Sequence, residues 1–407
     1  MSEDSSESGY AWFRLAVSLL ISAVGGVGLW SVAVVMPTVE AEFGVARAAA
    51  TLPFTMLMIG FAAGGMLMGK LTDRFGLAIP LWIGAAALGA GYMLAAAASS
   101  VWEFALIHFV LVGLLGSSAS FGPVIADVSR WFYRHRGIAV GVASCGSYLA
   151  GTVWPPVIQH FVATAGWRAT YLGIGIFCLV TMPPLALLVR RKAPTVAAGS
   201  RGPARLGNLN GLTPGLLQAL LVVAGLTCCI AMAMPQVHIV SLCTDLGFGT
   251  ARGAEMLSVM LAAGVASRLG FGWLVDRIGA LPTFLISSAL QALSLLLFLA
   301  SDTLPSLFLI SGLFGLAQGG IVPPYASIIR RYYPAGEAGT RIGTVLGATL
   351  VGMALGGWMS GAIYDLTLSY DLAFLNGFFW NLVNLAIAVF LLFRLGRPTP
   401  LVLRPAP

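Results

Sequence analysis

The sequence contains two copies of one eight-residue motif, GKLTDRFG at residues 69–76 and GWLVDRIG at residues 272–279. Both copies fit the pattern G-x-L-x-D-R-x-G, and they lie about half the chain apart. Each copy ends an apolar run that is long enough to cross a bilayer. A motif that recurs at the same place in each half indicates an internal repeat. The simplest arrangement is a parallel repeat of two similar helical bundles.

The composition places most of the chain in lipid. Of 407 residues, 9% are charged and 58% are hydrophobic, whereas a soluble domain carries roughly 25% charged residues. The net charge of +7 is spread in short clusters between apolar runs, which is typical of membrane topology rather than of nucleic-acid binding. The five cysteines lie in or near apolar stretches without metal-ligand spacing, so we interpret them as packing residues.

Twelve apolar runs of about 20 residues are each long enough to form a transmembrane helix. They lie near residues 13–36, 51–70, 77–97, 103–128, 137–161, 168–190, 213–241, 253–274, 280–301, 305–330, 341–364 and 372–394. We therefore predict an all-α membrane protein, with twelve transmembrane helices in two pseudo-symmetric six-helix bundles.

The polar segments set the domain boundaries. The predicted parts are a disordered cytoplasmic N-terminus at 1–12, an N-terminal six-helix bundle at 13–190, a cytoplasmic linker at 191–212, a C-terminal six-helix bundle at 213–394 and a disordered cytoplasmic tail at 395–407. The linker is assigned from its basic, Pro- and Gly-rich sequence, which is typical of extended connections between domains.

The distribution of Lys and Arg predicts the orientation. Basic residues are concentrated in the loops on the side of the two termini, whereas Arg47, Arg168 and Arg252 lie on the other side. Basic loops stay in the cytoplasm during membrane insertion. We therefore predict a multi-pass protein of the cell inner membrane with both termini cytoplasmic.

Arg268 is a cation within an apolar run, roughly midway between Glu255 and Asp276 at the two ends of that run. An arginine at this depth costs about 2.5–3.5 kcal/mol, and no Asp or Glu is predicted at a similar depth to pair with it. A ligand carboxylate could serve as the partner through a bidentate contact. The alternative is an arginine that backbone carbonyls and water satisfy. Gly264, one helical turn earlier, would leave space for a ligand or for close helix packing.

Other polar residues within the apolar runs could line a site beside Arg268. Their hydroxyl, amide and indole groups could bind a small ligand or serve helix packing. The candidate substrate-binding residues are Trp30, Ser117, Ser118, Ser144, Tyr148, Gln318 and Tyr325. His108 and His238 are candidates for proton coupling, because imidazole titrates near neutral pH; the alternative is a hydrogen-bonded interfacial histidine.

The repeated motifs each supply an aspartate–arginine pair at a helix end, Asp73 with Arg74 and Asp276 with Arg277. Such pairs can bridge neighbouring helices in one conformation and separate in another. We therefore assign these four residues to conformational gating rather than to substrate binding.

Three further segments carry a resemblance to a known family. They are RWFYRHRGIAVG at 130–141, VHIVSLCTDLG at 237–247 and SRLGFG at 267–272. Together with the repeated motif, they make the chain resemble the major facilitator superfamily, and within it the bacterial monocarboxylate and oxalate/formate transporter branch. The resemblance implies alternating access, in which two bundles rock around a central site. It also implies that Arg268 holds the substrate carboxylate.

The sequence gives no support for an enzyme or an ATP-driven pump. GGMLMGK at 64–70 has the spacing of a phosphate-binding loop, but a leucine follows where the magnesium-binding Ser or Thr is needed. We predict a monomeric secondary active transporter of a small organic monocarboxylate, with proton symport, no cofactor and no nucleic-acid partner. The alternatives are an exchanger or efflux carrier for organic anions including dicarboxylates, an exporter of lipophilic compounds, and a membrane receptor.

Overall fold

The computed structural model describes residues 9–132, 135–191 and 209–395. Most of the predicted N-terminal segment, linker and tail therefore lies outside the described residues. The described chain contains twelve helices that are long and apolar enough to cross a membrane. We number them α1 to α12, with bounds Gly9–Phe43, Arg47–Phe75, Ala78–Ala96, Val101–Trp131, Gly137–Ala165, Trp167–Leu188, Pro214–Asp245, Thr250–Ile278, Ala280–Leu299, Leu304–Tyr332, Gly336–Thr367 and Asp371–Leu395. The twelve predicted helices are confirmed.

The first helix begins earlier than the sequence predicts. α1 starts at Gly9, so the last residues of the segment predicted to be disordered are helical. Ala11 is fully buried, and the Tyr10 hydroxyl donates a hydrogen bond to the carbonyl of Leu188 at 3.0 Å. The Tyr10 ring also meets the ring of Trp131 edge-on. These contacts hold the start of α1 against its bundle.

The internal repeat is visible in the way the helices pack. In the first half, α1 packs on α5, α2 on α4 and α3 on α6. The same pairs recur six helices later, where α7 packs on α11, α8 on α10 and α9 on α12. The chain therefore forms two six-helix bundles with the same packing order. The bundles meet chiefly along two helix pairs, α2 with α11 and α5 with α8.

Two helices are interrupted near the middle of the molecule. α4 widens to a π-helix over His108–Gly116, and α10 breaks between Gln318 and Val322. Pro323 follows the break in α10, and proline cannot donate a backbone hydrogen bond to the preceding turn. Irregular backbone at membrane depth is tolerated where protein or a cavity surrounds it. The break places Gln318 at the end of a helical segment that faces α8.

The backbones of the two bundles approach each other closely toward one end of the molecule, whereas two glycines at the other end have no close neighbour. We call the end at which the described chain begins and finishes the terminal end, and the opposite end the far end. Toward the far end, a Cβ atom added to Gly361 of α11 would lie 3.0 Å from the Cα atom of Ala48 in α2. At the terminal end, a Cβ atom added to Gly69 of α2 or to Gly343 of α11 would meet nothing within 4 Å.

Candidate functional site

Arg268 reaches from the C-terminal bundle to the N-terminal bundle. Its Nη1 donates to the carbonyl of Ser144 at 3.4 Å, and its Nη2 lies 3.5 Å from the hydroxyl of Tyr148. The guanidinium carbon lies 4.6 Å from the centre of the Tyr148 ring, over its face. Ser144 and Tyr148 both belong to α5, and Arg268 belongs to α8. The structure therefore brings these three sequence-predicted residues together at the boundary of the bundles.

The polar contacts of Arg268 are weak and incomplete. Both hydrogen bonds are longer than the usual 2.7–3.2 Å. The Nε atom of Arg268 is buried and has no hydrogen-bond partner, and the ion pairs found among the described residues do not include this arginine. The side chain as a whole is half-buried, and an arginine within a transmembrane segment usually pairs with a charged group or with backbone carbonyls. Arg268 thus retains unused donor capacity, as the absence of a mid-depth carboxylate from the sequence predicts.

The space beside Gly264 is occupied by a side chain of the other bundle. A Cβ atom at Gly264 would lie 2.6 Å from two ring carbons of Tyr148, and 3.4 Å from Nε2 of Gln318. The glycine is therefore needed so that Tyr148 can reach Arg268. Of the two roles considered for Gly264, this contact favours close helix packing, because the ring of Tyr148 fills the space beside the glycine.

Gln318 presents a second donor without a partner. Its side chain is fully buried; its Oε1 accepts a hydrogen bond from Nε2 of Gln236 in α7, and its own Nε2 has no partner. The contact with Gln236 was not predicted. The available signal was an amide side chain directly after Pro235 in a predominantly apolar helix.

Four other candidate residues satisfy their polar groups inside the protein. The Trp30 indole donates to the carbonyl of Ser147 at 2.9 Å, and Tyr325 lies 3.4 Å from Sγ of Cys228 in the core of its own bundle. The hydroxyls of Ser117 and Ser118 donate to backbone carbonyls at 2.9 and 2.7 Å. These contacts favour a packing role for all four residues.

The motif residues make their described contacts within their own bundles. Asp73 forms an exposed ion pair with Arg130 at the end of α4. Arg74 lies over the ring of Phe75, and Arg277 lies over the ring of Trp273, while Asp276 is in the last turns of α8. Their gating role, which concerns closure of the terminal end, stays a prediction.

The strongest polar contacts between the bundles surround Arg47 at the far end. Arg47 is 7% exposed and forms ion pairs with Glu40 at 2.6 Å and with Asp245 of the other bundle at 2.8 Å. Its Nη1 also donates to the Tyr370 hydroxyl at 2.6 Å. Asp365 accepts the backbone N–H groups of Arg47 and of the next residue, both at 2.8 Å, and so caps α2. We call Glu40, Arg47, Asp245, Asp365 and Tyr370 the far-end latch.

Tyr370 acts in the latch as a neutral hydroxyl. It lies in the turn between α11 and α12 and is almost completely buried. Burial raises the pKa of its hydroxyl, and the smaller opposing effect of Arg47 does not reverse this shift. The hydroxyl keeps its proton and can therefore both accept and donate a hydrogen bond.

The two candidate histidines differ in what they touch. His238 of α7 lies 3.0 Å from the Tyr370 hydroxyl through Nδ1 and 2.8 Å from the carbonyl of Gly357 through Nε2. His108 contacts the carbonyl of Phe104 in its own helix at 2.7 Å through Nδ1, and its Nε2 has no partner. Only His238, of these two, is connected to the far-end latch.

Comparisons with known proteins agree with this architecture. Monocarboxylate transporter 13 of Rattus norvegicus is 28% identical over 333 residues, covering 80% of this chain and 74% of that protein. MFS-type transporter opdF of Penicillium oxalicum is 27% identical over 303 residues, covering 72% of this chain and 69% of that protein.

The fold is also found among solved structures. The crystal structure of a bacterial homologue of the human lysosomal transporter Spinster superposes with a TM-score of 0.67 at 12% identity, covering 96% of both chains. Residues 18–270 and 220–407 match the sequence profile of the Major Facilitator Superfamily. The chain therefore belongs to the Major Facilitator Superfamily, and it is a multi-pass membrane transporter rather than an enzyme.

Proposed function

We propose that the protein is a secondary active transporter that moves a small organic monocarboxylate by alternating access, with proton symport. The observation that carries this proposal is the unsatisfied guanidinium of Arg268 at the boundary of the two bundles. Its Nε is buried without a partner, and its two other contacts are long. A ligand carboxylate would supply the missing charge and the missing acceptors.

The groups around Gly264 favour an anion. Gln318 offers a free N–H donor, and Tyr148 offers a hydroxyl close to the guanidinium. Donors without acceptors suit a ligand that carries oxygen acceptors. Because Arg268 is a single cation, one carboxylate balances the charge of the site, and we favour a monocarboxylate over a dicarboxylate. The relative named monocarboxylate transporter 13 supports the same substrate class.

The site is suited to alternating access because both bundles contribute to it. Arg268 belongs to α8, whereas Ser144 and Tyr148 belong to α5. A ligand that draws the guanidinium away from Tyr148 changes a contact between the bundles, and so biases the equilibrium between conformations. In the form described here the far end is closed. The Lys and Arg bias makes the terminal end cytoplasmic, so this form would release its cargo into the cytoplasm across the inner membrane.

The direct test is uptake of radiolabelled short monocarboxylates and dicarboxylates into proteoliposomes. We expect Arg268→Ala to abolish monocarboxylate uptake, and Arg268→Lys to fail substantially because an ammonium group cannot form the bidentate contact. Arg252→Ala is the matched control, since Arg252 lies on the same helix but is exposed and paired with Glu255. Uptake that survives Arg268→Ala in correctly inserted protein would contradict the carboxylate site.

A binding assay separates cargo recognition from transport. A ligand that binds the folded protein raises its melting temperature by mass action. We expect short monocarboxylates to raise the melting temperature of the wild type and of Arg252→Ala, but not of Arg268→Ala. An inwardly directed proton gradient should accelerate net uptake into empty vesicles. Uptake that instead requires vesicles preloaded with an anion would support exchange in place of symport.

A further inference from the structure

Three side chains form a directed chain of hydrogen bonds between the bundles. The carbonyl of Gly357 can only accept, so Nε2 of His238 must donate to it at 2.8 Å. Arg47 can only donate, so the Tyr370 oxygen accepts from its Nη1 at 2.6 Å. The Tyr370 hydroxyl then has its own proton to place, and Nδ1 of His238 lies 3.0 Å away as the acceptor. These directions require His238 to be neutral, with its proton on Nε2.

We propose that His238 is a proton-binding site that controls the far-end latch, so that neutral His238 holds the far end closed and protonated His238 releases it. The inference rests on the alternating access of the proposed function, but it does not depend on which cargo is carried. It concerns the opening of the far end, and it states that protonation of His238 shifts the equilibrium between the closed and the open conformation.

Protonation would disturb the latch in two ways. A proton on Nδ1 removes the acceptor of the Tyr370 hydroxyl, and a buried polar group without a partner costs about 1–3 kcal/mol. It also places an imidazolium one tyrosine oxygen away from the guanidinium of Arg47, and both side chains are buried. Both effects weaken the bridge through Tyr370 between the bundles.

The charged groups around His238 do not cancel this effect. The cation that faces it is Arg47 from α2, and the anions are Glu40 from α1, Asp245 from α7 and Asp365 from α11. All three carboxylates are engaged by Arg47, two through its guanidinium and one through its backbone N–H. An imidazolium could recruit one of them only by competing with Arg47, which again loosens the latch.

His108 lacks this connection. Its ring contacts the carbonyl of Phe104 within α4 and packs against the rings of Phe104 and Tyr171 in the N-terminal bundle. A proton on His108 would change contacts inside one bundle only. The geometry therefore separates the two candidate histidines that sequence reasoning treats alike.

The test is a distance measurement across the far end at two pH values. Spin labels on cysteines at Ala97 and Asp302, which are exposed at the far end of different bundles, report the opening in a background without the five native cysteines. From about pH 8 to about pH 5, the range in which a solvated imidazole gains its proton, we expect the long-distance population to grow, because opening of the far end lets His238 take up that proton. For one linked proton the ratio of open to closed forms rises by up to about tenfold per pH unit.

Two variants and one control decide the assignment. His238→Gln can still donate to Gly357 and accept from Tyr370, but it gains no proton, so the far end should stay closed at both pH values. Tyr370→Phe keeps the histidine but removes the hydroxyl that bridges it to Arg47. The long-distance population should therefore be larger than in the wild type at both pH values and should change little between them. His160→Gln, a change at an exposed histidine near the far end of α5, should respond like the wild type. A wild-type response in His238→Gln, or none in the wild type, would overturn the proposal.

The same measurement separates this inference from the proposed function. Arg268→Ala removes the candidate carboxylate site but leaves the hydrogen bonds of His238 unchanged. If monocarboxylate uptake is absent while the pH response persists in the wild type and in Arg268→Ala, the proton site stands and the substrate assignment fails. If uptake depends on Arg268 but the response does not depend on His238, the reverse holds.

Discussion

Arg47 and Arg268 both cross from one bundle to the other, but their surroundings differ. Arg47 has ion pairs with Glu40 and Asp245 and a hydrogen bond to Tyr370. Arg268 has two long contacts and takes part in none of the ion pairs found among the described residues. The Nε atoms of both arginines lack a hydrogen-bond partner, but that of Arg47 lies 2.6 Å from a carboxylate oxygen of Glu40. An arginine therefore closes the far end where carboxylates of the protein balance its charge, as at Arg47. It offers a binding site for an anion where no carboxylate of the protein pairs with it, as at Arg268.

This difference makes it possible to separate residues that hold the bundles together from residues that bind the ligand. An arginine whose charge the protein balances should matter most for stability and for the closed far end, because its removal leaves the partly exposed carboxylates of Glu40 and Asp245 without their partner. An arginine without an ion pair, such as Arg268, should matter most for ligand affinity, because it contributes little to the stability of the protein without ligand. The following variants test that separation.

The largest effect is expected for Arg47→Ala. Removal of one partner from a fully buried ion pair typically costs about 3–5 kcal/mol. Because Glu40 and Asp245 are partly exposed, we expect a smaller cost that still lowers the melting temperature clearly and opens the labelled far end. Arg341→Ala is the control, because Arg341 forms a partly exposed pair with Glu337 one turn earlier on α11, and exposed pairs contribute about 0.2–1 kcal/mol. If Arg47→Ala lowers the melting temperature no more than Arg341→Ala does, the latch does not hold the far end.

An intermediate effect is expected for Gly264→Ala. The new Cβ atom would lie 2.6 Å from the Tyr148 ring, and such overpacking typically costs about 1–3 kcal/mol. The ring should move away from Arg268, so the affinity for monocarboxylate should fall in the thermal-shift assay. Gly270→Ala on the same helix meets nothing within 4 Å and should behave like the wild type. Equal behaviour of the two variants would show that Tyr148 is not positioned by Gly264.

The smallest effect is expected for Gln236→Leu. This change frees the amide of Gln318 to turn its oxygen toward the site, and a hydrogen bond of this kind contributes about 0.5–1.5 kcal/mol. Ligand affinity should therefore drop by roughly two- to tenfold, read from the ligand concentration that shifts the melting temperature. Gln291→Leu is the control, because buried Gln291 donates to the carbonyl of Cys228 at 3.1 Å but does not contact Gln318. It should lower stability without changing affinity, and the opposite pattern would remove Gln236 from the site.

The helices and Arg268 could be predicted because both depend on local sequence. Apolar length alone defines the twelve helices, and the depth of Arg268 follows from its place within one helix. Its contact with Ser144 and Tyr148 agrees with the candidate set because all three residues lie at mid-depth on helices of opposite bundles.

The far-end latch could not be predicted from the sequence in the same way. The sequence identifies Arg47 only as a basic residue on the side away from the termini. Its partners Asp245, Asp365 and Tyr370 are distant in the chain, so their contact with Arg47 cannot be inferred from local sequence. Their approach depends on how α2 meets α11, and hence on packing between bundles. The contact of Gln236 with Gln318 also joins residues that are distant in the chain, so the sequence does not predict it. For the same reason His108 and His238 cannot be distinguished until the residues that pack around them are known.

The repeat that aligns Gly69 with Gly272 also aligns Gly65 with Arg268. A Cβ atom at Gly65 would meet nothing within 4 Å, so the first half has neither the cation nor a neighbour that takes its place. If gene duplication produced the two halves, their equivalence ends at the residue that carries the charge. The C-terminal bundle would then bind the charged group of the cargo, while the N-terminal bundle contributes uncharged contacts. A chain with the two halves in exchanged roles would therefore not transport the same cargo.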